Sequence, residues 1–247
     1  MKALKLAFAA LLAAFSACAA AVGGLADLSV YDRSEGRNLP VYWHEGRAWV
    51  VGKPGNEYQL NLRNRQGEDV LAVLSVDGVN VISGETATVQ QSGYVLAPGG
   101  ALAVKGWRKD LSRTAAFYFT PLEDSYAART GRPDNVGAIG VALFRRKMPD
   151  PAPLSQIAPS AKSERSDSAA RAPAAAEPQL GTGHGRDETS YARMVGFERA
   201  TSAPAETVVI YYDSYRNLVA RGIIPQPSIG RRPSPNPFPG FVPDPPA

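Results

Sequence analysis

Apolar and polar residues alternate along much of the chain between positions 40 and 147. Tyr58, Leu60 and Leu62, for example, are separated by polar residues, as in a strand that buries one face against a core. Turn-forming residues separate this strand from its neighbours. Further strands are expected at residues 70–76, 79–82, 93–96, 101–106, 115–120 and 137–145. About seven short strands at close spacing predict a mainly β fold, an antiparallel sandwich or barrel, of which we expect the β-sandwich.

Two short segments between these strands carry turn and helix signals. Asp77-Gly78 suits a two-residue hairpin turn, because both positions tolerate positive φ. Residues 122–131 break the alternation, with Asp124 or Ser125 as a helix N-cap and a glycine as the stop. A short helix or structured loop is therefore expected between two strands.

A second, smaller pattern follows a stretch rich in Pro, Ala and Ser. Residues 148–179 contain no aromatic residue and few branched apolar ones. They cannot offset an ordering entropy of about 1–2 kcal/mol per residue, so they predict a disordered linker. Strands over 191–197 and 207–212 and a helix over 215–221 then predict a small ββα unit at residues 180–224. Because so small a unit is barely stable alone, we expect it to pack on the main domain and extend its sheet.

Both ends of the chain differ from this middle part. Residues 1–21 join a basic start, an apolar run and small residues, the three parts of a secretory signal peptide. The apolar run, residues 6–17, is too short to span a bilayer. Residues 22–39 are expected to form a flexible N-terminal segment.

From 225 to 247, nine of 23 residues are proline, which predicts a disordered tail of polyproline II character. Phe238 and Phe241 lie among these prolines; we expect a solvated tail, with docking on a partner as the alternative.

The single cysteine, Cys18, leaves the compartment open between two alternatives. Residues 15–18 resemble a lipobox, in which case Cys18 would be acylated and become the first residue of the mature chain. Ordinary cleavage within the alanines at 19–21 would instead discard it. Phe15 is unusual for a lipobox and favours ordinary cleavage. Either route leaves the mature chain without an internal disulfide. Ordinary cleavage would make the protein periplasmic or secreted, as we expect, and acylation of Cys18 would make it an outer-membrane lipoprotein.

The charge of the chain argues against one class of partner. Its 27 Lys and Arg and 23 Asp and Glu give a formal net charge of +4. Loss of Lys2 and Lys5 with the signal lowers this to about +2, and no dense basic stretch remains. Nucleic acid is therefore not expected as a partner, nor is a transmembrane segment. An envelope protein is the expected partner, and the oligomeric state stays open.

The sequence carries no strong catalytic, cofactor or metal signature, and none is assigned. His184 is a weak candidate, because Asp187 or Glu188 lies close enough in sequence to serve with it in a secreted hydrolase. A mobile loop explains a histidine among glycines equally well. We therefore favour a non-enzymatic protein and keep the secreted hydrolase as the alternative.

A set of polar and aromatic residues predicts an interaction surface instead. Trp and Arg dominate the energetics of interfaces, because each buries a large area while keeping a hydrogen-bonding group. The set consists of Trp107, Arg108, Tyr126, Arg129 and Arg132. The competing interpretation places the tryptophan in the core and leaves the arginines solvated or paired with Asp124 and Asp134.

Five blocks of the sequence resemble a family of exported proteobacterial proteins. The blocks are LAVLSVDGVNVISGETA, SGYVLAPGG, GWR, DSYAARTGRPDNVGAIGVALF and LGTGHGR. The resemblance implies that these ordered blocks occur together and that the linker is a spacer. It implies no activity, ligand or site. The fold pattern, the missing catalytic residues, the Trp and Arg surface candidates and the low-complexity segments lead us to expect an exported envelope protein that binds a protein or a ligand.

Overall fold

The computed structural model describes residues 21–148 and 179–225. They form two β-sheets of seven strands each, so the predicted mainly β architecture is confirmed. The predicted signal peptide at 1–21 with Cys18, the predicted linker at 148–179 and the predicted tail at 225–247 lie wholly or almost wholly outside the described residues.

The described part of the chain contains fourteen strands and two short α-helices. In chain order the strands are β1 (Ala26–Asp32), β2 (Arg37–Asn38), β3 (Tyr42–His44), β4 (Arg47–Val51), β5 (Glu57–Asn64), β6 (Val70–Val76), β7 (Val79–Asn80), β8 (Tyr94–Leu96), β9 (Ala101–Val104), β10 (Gly106–Arg108), β11 (Arg113–Pro121), β12 (Ala138–Arg145), β13 (Leu180–Thr189) and β14 (Glu206–Asp213). The helices are α1 (Tyr126–Arg129) and α2 (Tyr215–Ala220), with 3-10 turns at Leu122–Asp124 and Pro133–Asn135. Neither α-helix, at four and six residues, has the length that crossing a bilayer requires.

The first sheet is antiparallel throughout. Its main path runs β10-β11-β5-β1-β2, with β13 paired to β11 and β9 paired to β5. The second sheet runs β3-β4-β14-β12-β6-β7, with β8 paired to β6. One pairing in it is parallel, that of β14 with β4. The other edge of β14 pairs antiparallel with β12, so β14 is a central strand.

One hydrophobic core is shared by the two sheets. The first sheet contributes Leu28, Tyr58 and Phe117, and the second contributes Leu74 and Ile210, all at most 1% exposed. Burying a side chain of this size stabilises a fold by roughly 1.5–3 kcal/mol relative to leaving it exposed. The alternation predicted from the sequence thus marks the inner faces of a two-sheet sandwich.

The expectation of a flexible segment at 22–39 is wrong. Residues 26–32 form β1, which pairs with β5 along its whole length and alternates buried with half-buried side chains. Ala26, Leu28 and Val30 enter the core. The alternation is visible in the sequence, but it begins with a small alanine and turn residues follow it, so the local signal for a strand is weak. The side chains of β1 are buried because β1 pairs with a strand some thirty residues away.

The predicted location of the first strand after the linker is also wrong. Residues 191–197 form no strand, whereas the glycine-rich stretch before them forms the ten-residue β13. Glycine weakens strands in general, but here it admits a neighbour: a Cβ at Gly183 would overlap the ring of Tyr118 on β11. The predicted strand at 207–212 and helix at 215–221 are found as β14 and α2.

The two strands after the linker do not form a separate ββα unit. β13 joins the first sheet beside β11, and β14 lies between β4 and β12 in the second sheet. The expected addition of strands to the main domain is therefore found in both sheets, with β13 in the first and β14 in the second. Residues 180–213 are consequently part of the sandwich itself.

Helix α2 closes the outer face of the second sheet at one end. Ser214 is its N-cap and accepts a hydrogen bond from the Asn217 backbone N–H at 3.2 Å. Leu218, Ile223 and Ile224 pack with Trp49 in a second hydrophobic cluster. The signal that predicted this helix, Asp213-Ser214 followed by helix formers, therefore works as expected.

We predict that Gly106→Ala lowers the free energy of unfolding by about 1–3 kcal/mol or more, because its Cβ would overlap the carbonyl oxygen of Ala115 on the paired strand. Gly67→Ala is the matched control, since a Cβ there has no neighbour within 4 Å, and we expect a change within about 0.5 kcal/mol. Urea unfolding of the two variants at neutral pH measures both effects. Equal midpoints would contradict this account of the β10–β11 pairing.

Candidate functional site

Trp107, the centre of the predicted interaction surface, is buried at 3% exposure. Its ring makes an edge contact with Phe117 at 5.1 Å and a tilted contact with Tyr126 at 4.9 Å between centroids. Its indole N–H donates to the Gly183 carbonyl oxygen at 3.2 Å. All polar and apolar parts of this side chain are therefore used inside the fold, as in the competing interpretation.

Arg108 is also used within the protein. Its guanidinium donates to the hydroxyl of Tyr94 at 3.0 Å and to the carbonyl of Ser190 at 2.9 Å. A further bond reaches the carbonyl of Asp110. Arg108 thus fastens the segment that follows β13 to the β10–β11 turn, and its side chain has few donors left for a partner.

Tyr126, Arg129 and Arg132 lie on and just after α1. Ser125 caps this helix by accepting from the Ala128 backbone N–H, which selects one of the two predicted N-caps. Arg132 donates to the carbonyl of Gly84 at 3.0 Å and lies 5.9 Å from the Tyr126 ring centroid.

Arg129 is exposed, and within the described residues neither Arg129 nor Arg132 forms the ion pair with Asp124 or Asp134 that the sequence suggested. The accessible part of the predicted surface is therefore the half-buried ring of Tyr126 with the charged groups of Arg129 and Arg132. Trp107 is buried and packs against the Tyr126 ring, so it is not itself accessible to a partner.

His184 projects from β13 and is exposed. Its ring lies 5.6 Å from that of Tyr126, and within the described residues no hydrogen bond joins it to a carboxylate or a serine. Asp187 accepts two bonds from Lys109, and Glu188 is paired with Arg33 and Arg186. The carboxylates proposed to serve with His184 are thus paired with Lys109, Arg33 and Arg186, and within the described residues neither forms a hydrogen bond with His184.

A buried carboxylate, Asp77, forms a hydrogen-bonded centre that the sequence did not reveal. Asp77 is the first residue of the predicted hairpin turn, with φ of 53°, and is fully buried. Its Oδ1 accepts from the Tyr212 hydroxyl at 2.6 Å and from the Gly137 N–H at 2.9 Å. Its Oδ2 accepts from the Thr182 N–H at 2.7 Å. The turn residue is therefore also a joint between strands of both sheets.

Three hydroxyl groups continue this centre into the core. The Thr182 hydroxyl lies 2.7 Å from those of both Tyr212 and Tyr58, and each of these groups can donate or accept. When Asp77 is ionised, the hydroxyls can all point their protons toward it. When Asp77 is protonated, it can donate to Tyr212 and the row can reverse. The centre therefore accommodates both charge states without a lost hydrogen bond at the carboxyl group.

Burial raises the pKa of Asp77 from 3.8 to about 6. The loss of water around the carboxylate is the largest cause, and the bonds from Tyr212, Thr182 and Gly137 oppose it only in part. Burial and the nearby carboxylate also raise the pKa of Tyr58 and Tyr212 well above the ordinary value. Because these groups are at most 2% exposed, the centre can take up a proton but cannot reach a substrate in solution.

Four of the exposed apolar side chains form a different candidate site. The loop of residues 190–197 carries Tyr191 at 84% exposure, Met194 at 88% and Val195 at 50%. Leu111, in the turn between β10 and β11, is 53% exposed and adjoins this loop, since its carbonyl accepts from the Ala192 N–H at 2.8 Å. We call Leu111, Tyr191, Met194 and Val195 the apolar loop patch.

Within the described residues, no group of three or more His, Cys, Asp or Glu side chains is placed to hold a metal ion. Comparison of the chain with protein-family models, with curated proteins and with solved structures finds no match. The geometry of the chain itself therefore carries the argument about function.

We predict that Asp77 makes the fold more stable as the pH falls from 7 to 4. Because folding raises its pKa, the folded protein holds a proton at pH values where the unfolded chain has released it. The contribution is fully present below about pH 4 and is lost as the pH rises through about 6, a difference on the order of 3 kcal/mol.

The test compares the wild type with Asp77→Asn, whose amide tolerates positive φ and does not titrate. Urea unfolding at pH 7, 6, 5 and 4 measures the difference in stability between the two proteins. We expect this difference to grow in favour of the wild type as the pH falls. A difference that is independent of pH would mean that Asp77 has an ordinary pKa in the folded state.

Proposed function

We propose that this chain is an exported, non-enzymatic envelope protein that acts by binding another protein through the apolar loop patch. The observation that carries the proposal is the exposure of Tyr191 and Met194, two large side chains that lie almost wholly in water on an ordered loop. Exposed apolar side chains that lie close together on a protein surface commonly mark a binding site.

The loop that carries the patch is fastened at both ends. At its start, the Ser190 N–H donates to the carbonyl of Ser112 at 2.7 Å. At its end, the Arg146 guanidinium lies 4.8 Å from the ring of Phe197, and the Lys147 N–H donates to the carbonyl of Glu198 at 2.9 Å. A loop held in this way loses little conformational entropy on binding, which favours affinity.

Two charged pairs lie next to Leu111, at one side of the patch. Lys109 and Arg113, on either side of Leu111 in sequence, pair with Asp187 at 2.8 Å and with Asp110 at 2.7 Å respectively. Hydrogen bonds, first from Ser112 and then from Arg113, hold the pKa of Asp110 well below its ordinary value. Because these charges already have partners within the chain, the apolar side chains of the patch support a protein partner over a small charged ligand.

A photo-crosslinking amino acid at Met194 is expected to capture a discrete protein partner in the envelope fraction of the native cells. The control places the same amino acid at Trp43, an exposed aromatic position on β3. Capture at position 194 and not at position 43 supports the patch as the interface. Equal capture at both positions, or none at 194, contradicts it.

A double variant, Tyr191→Ser with Met194→Ser, provides a second check on the patch. It should compete poorly with the wild type for the captured partner, while its unfolding midpoint stays unchanged because both side chains already lie in water. If this variant competes as well as the wild type, the proposed surface is wrong.

Export predicts a defined mature N-terminus. We expect ordinary signal cleavage, so that intact-mass analysis of the protein purified from its native host finds a chain starting at residues 20–22. A chain that starts at acylated Cys18 would instead make the protein a lipid-tethered one. A chain that retains residues 1–17 would contradict export itself.

A further inference from the structure

A groove with apolar and charged lining residues lies between the β2–β3 connection, the end of β4 and the start of α2. Its volume is about 330 Å³, at the lower end of the range of small-ligand pockets. Its apolar lining consists of Leu39, Pro40, Tyr42, Val51, Pro54 and Tyr215. Tyr215 is 48% exposed, so much of its ring is available for contact.

The described part of the chain ends beside this groove. Ile223 and Ile224 pack in the cluster under α2, and Tyr42 and Val51 pack against the same cluster. Tyr42 and Val51 also line the groove. The segment that begins at Pro225 therefore follows residues that share a cluster with two side chains of the groove wall, and a ligand tethered so near has a high effective concentration.

The composition of that segment matches the lining of the groove. Nine of the 23 residues from 225 to 247 are proline, and two phenylalanines lie among them. Proline-rich segments favour the polyproline II helix, which docks in grooves lined by aromatic side chains at a low cost in entropy. At about 3.1 Å per residue such a segment is several times longer than the groove, so its reach is ample.

The charges at the rim of the groove are already satisfied. Glu35 pairs with Arg37 at 2.6 Å and with Lys53 at 3.4 Å, and these two contacts lower its pKa. Asp32 accepts hydrogen bonds from the Glu35 N–H and from the Asn56 amide. Recognition in this groove must therefore come from the tyrosines, the prolines and the aliphatic side chains, and it should depend little on salt.

We propose that the proline-rich tail, residues 225–247, docks in this groove of its own chain. The sequence alone favours a solvated tail. The proposal rests on the groove, on the place where the chain leaves α2 and on the composition of the tail. The docked tail would cover Tyr215 and the Tyr42 side of the groove.

Limited trypsin digestion of the full mature chain tests the proposal. The bond after Arg231 lies within the tail, whereas those after Lys162, Arg165 and Arg171 lie in the linker and serve as an internal reference. Docking is expected to slow cleavage after Arg231 by at least about fivefold relative to the linker bonds, because proteolysis follows the population of the undocked state. Tyr215→Ala should remove this protection, and adding salt should not.

Two further variants make the test specific. Tyr191→Ala, an exposed tyrosine outside the groove, should leave both cleavage rates unchanged. Replacing Pro235, Pro237 and Pro239 together by alanine changes the tail and leaves the described part of the chain unaltered. It should accelerate cleavage after Arg231 as much as Tyr215→Ala does. Combining the two changes should add nothing, since both remove the same contact.

The proposal is overturned if cleavage after Arg231 is as fast as cleavage in the linker, or if Tyr215→Ala has no effect. It is also overturned if protection disappears on dilution over about a hundredfold in concentration, because a tethered segment binds its own chain independently of concentration. That last outcome would instead assign the groove to the tail of a second copy.

Discussion

The buried carboxylate of Asp77 is the interaction on which the arrangement of the two sheets depends. It joins the β6–β7 turn to the backbone at Gly137, before β12, and at Thr182 on β13, and to the side chain of Tyr212 on β14. Removing water from a carboxylate costs several kcal/mol, and three donors recover part of that cost. The raised pKa of Asp77 shows that desolvation is the larger of the two effects.

This joint explains why the chain after the linker belongs to the sandwich. Thr182 and Tyr212 reach the same hydroxyl row from different sheets, so β13 and β14 must both be in place before the centre is complete. The loop of residues 190–197 is part of the connection between these two strands, so its position depends on where both strands lie. The exposed apolar patch is thus a consequence of how the strands are divided between the sheets.

The predicted interaction surface illustrates why a residue type alone cannot assign a role. Tryptophan is frequent both in cores and at interfaces, because it combines a large apolar ring with one donor. In this protein the donor of Trp107 meets the Gly183 carbonyl, on a strand that the sequence did not predict. The exposed large side chains are instead Tyr191 and Met194. The sequence predicts a strand for residues 191–197, but both residues lie in an irregular loop.

The sequence by itself determined the local structure: the alternating strands, the Asp77-Gly78 turn and the helix capped by Ser214 each depend on residues within a few positions of one another. It also determined the composition of the linker and the tail. Only the tertiary structure decided which strands pair and which side chains are buried. The bonds of Asp77 to Thr182 and Tyr212 span 105 and 135 residues, and no local pattern encodes a contact at that distance. The carboxylate seen in the sequence as a turn former becomes a buried joint because the strands that supply its donors come from a distant part of the chain.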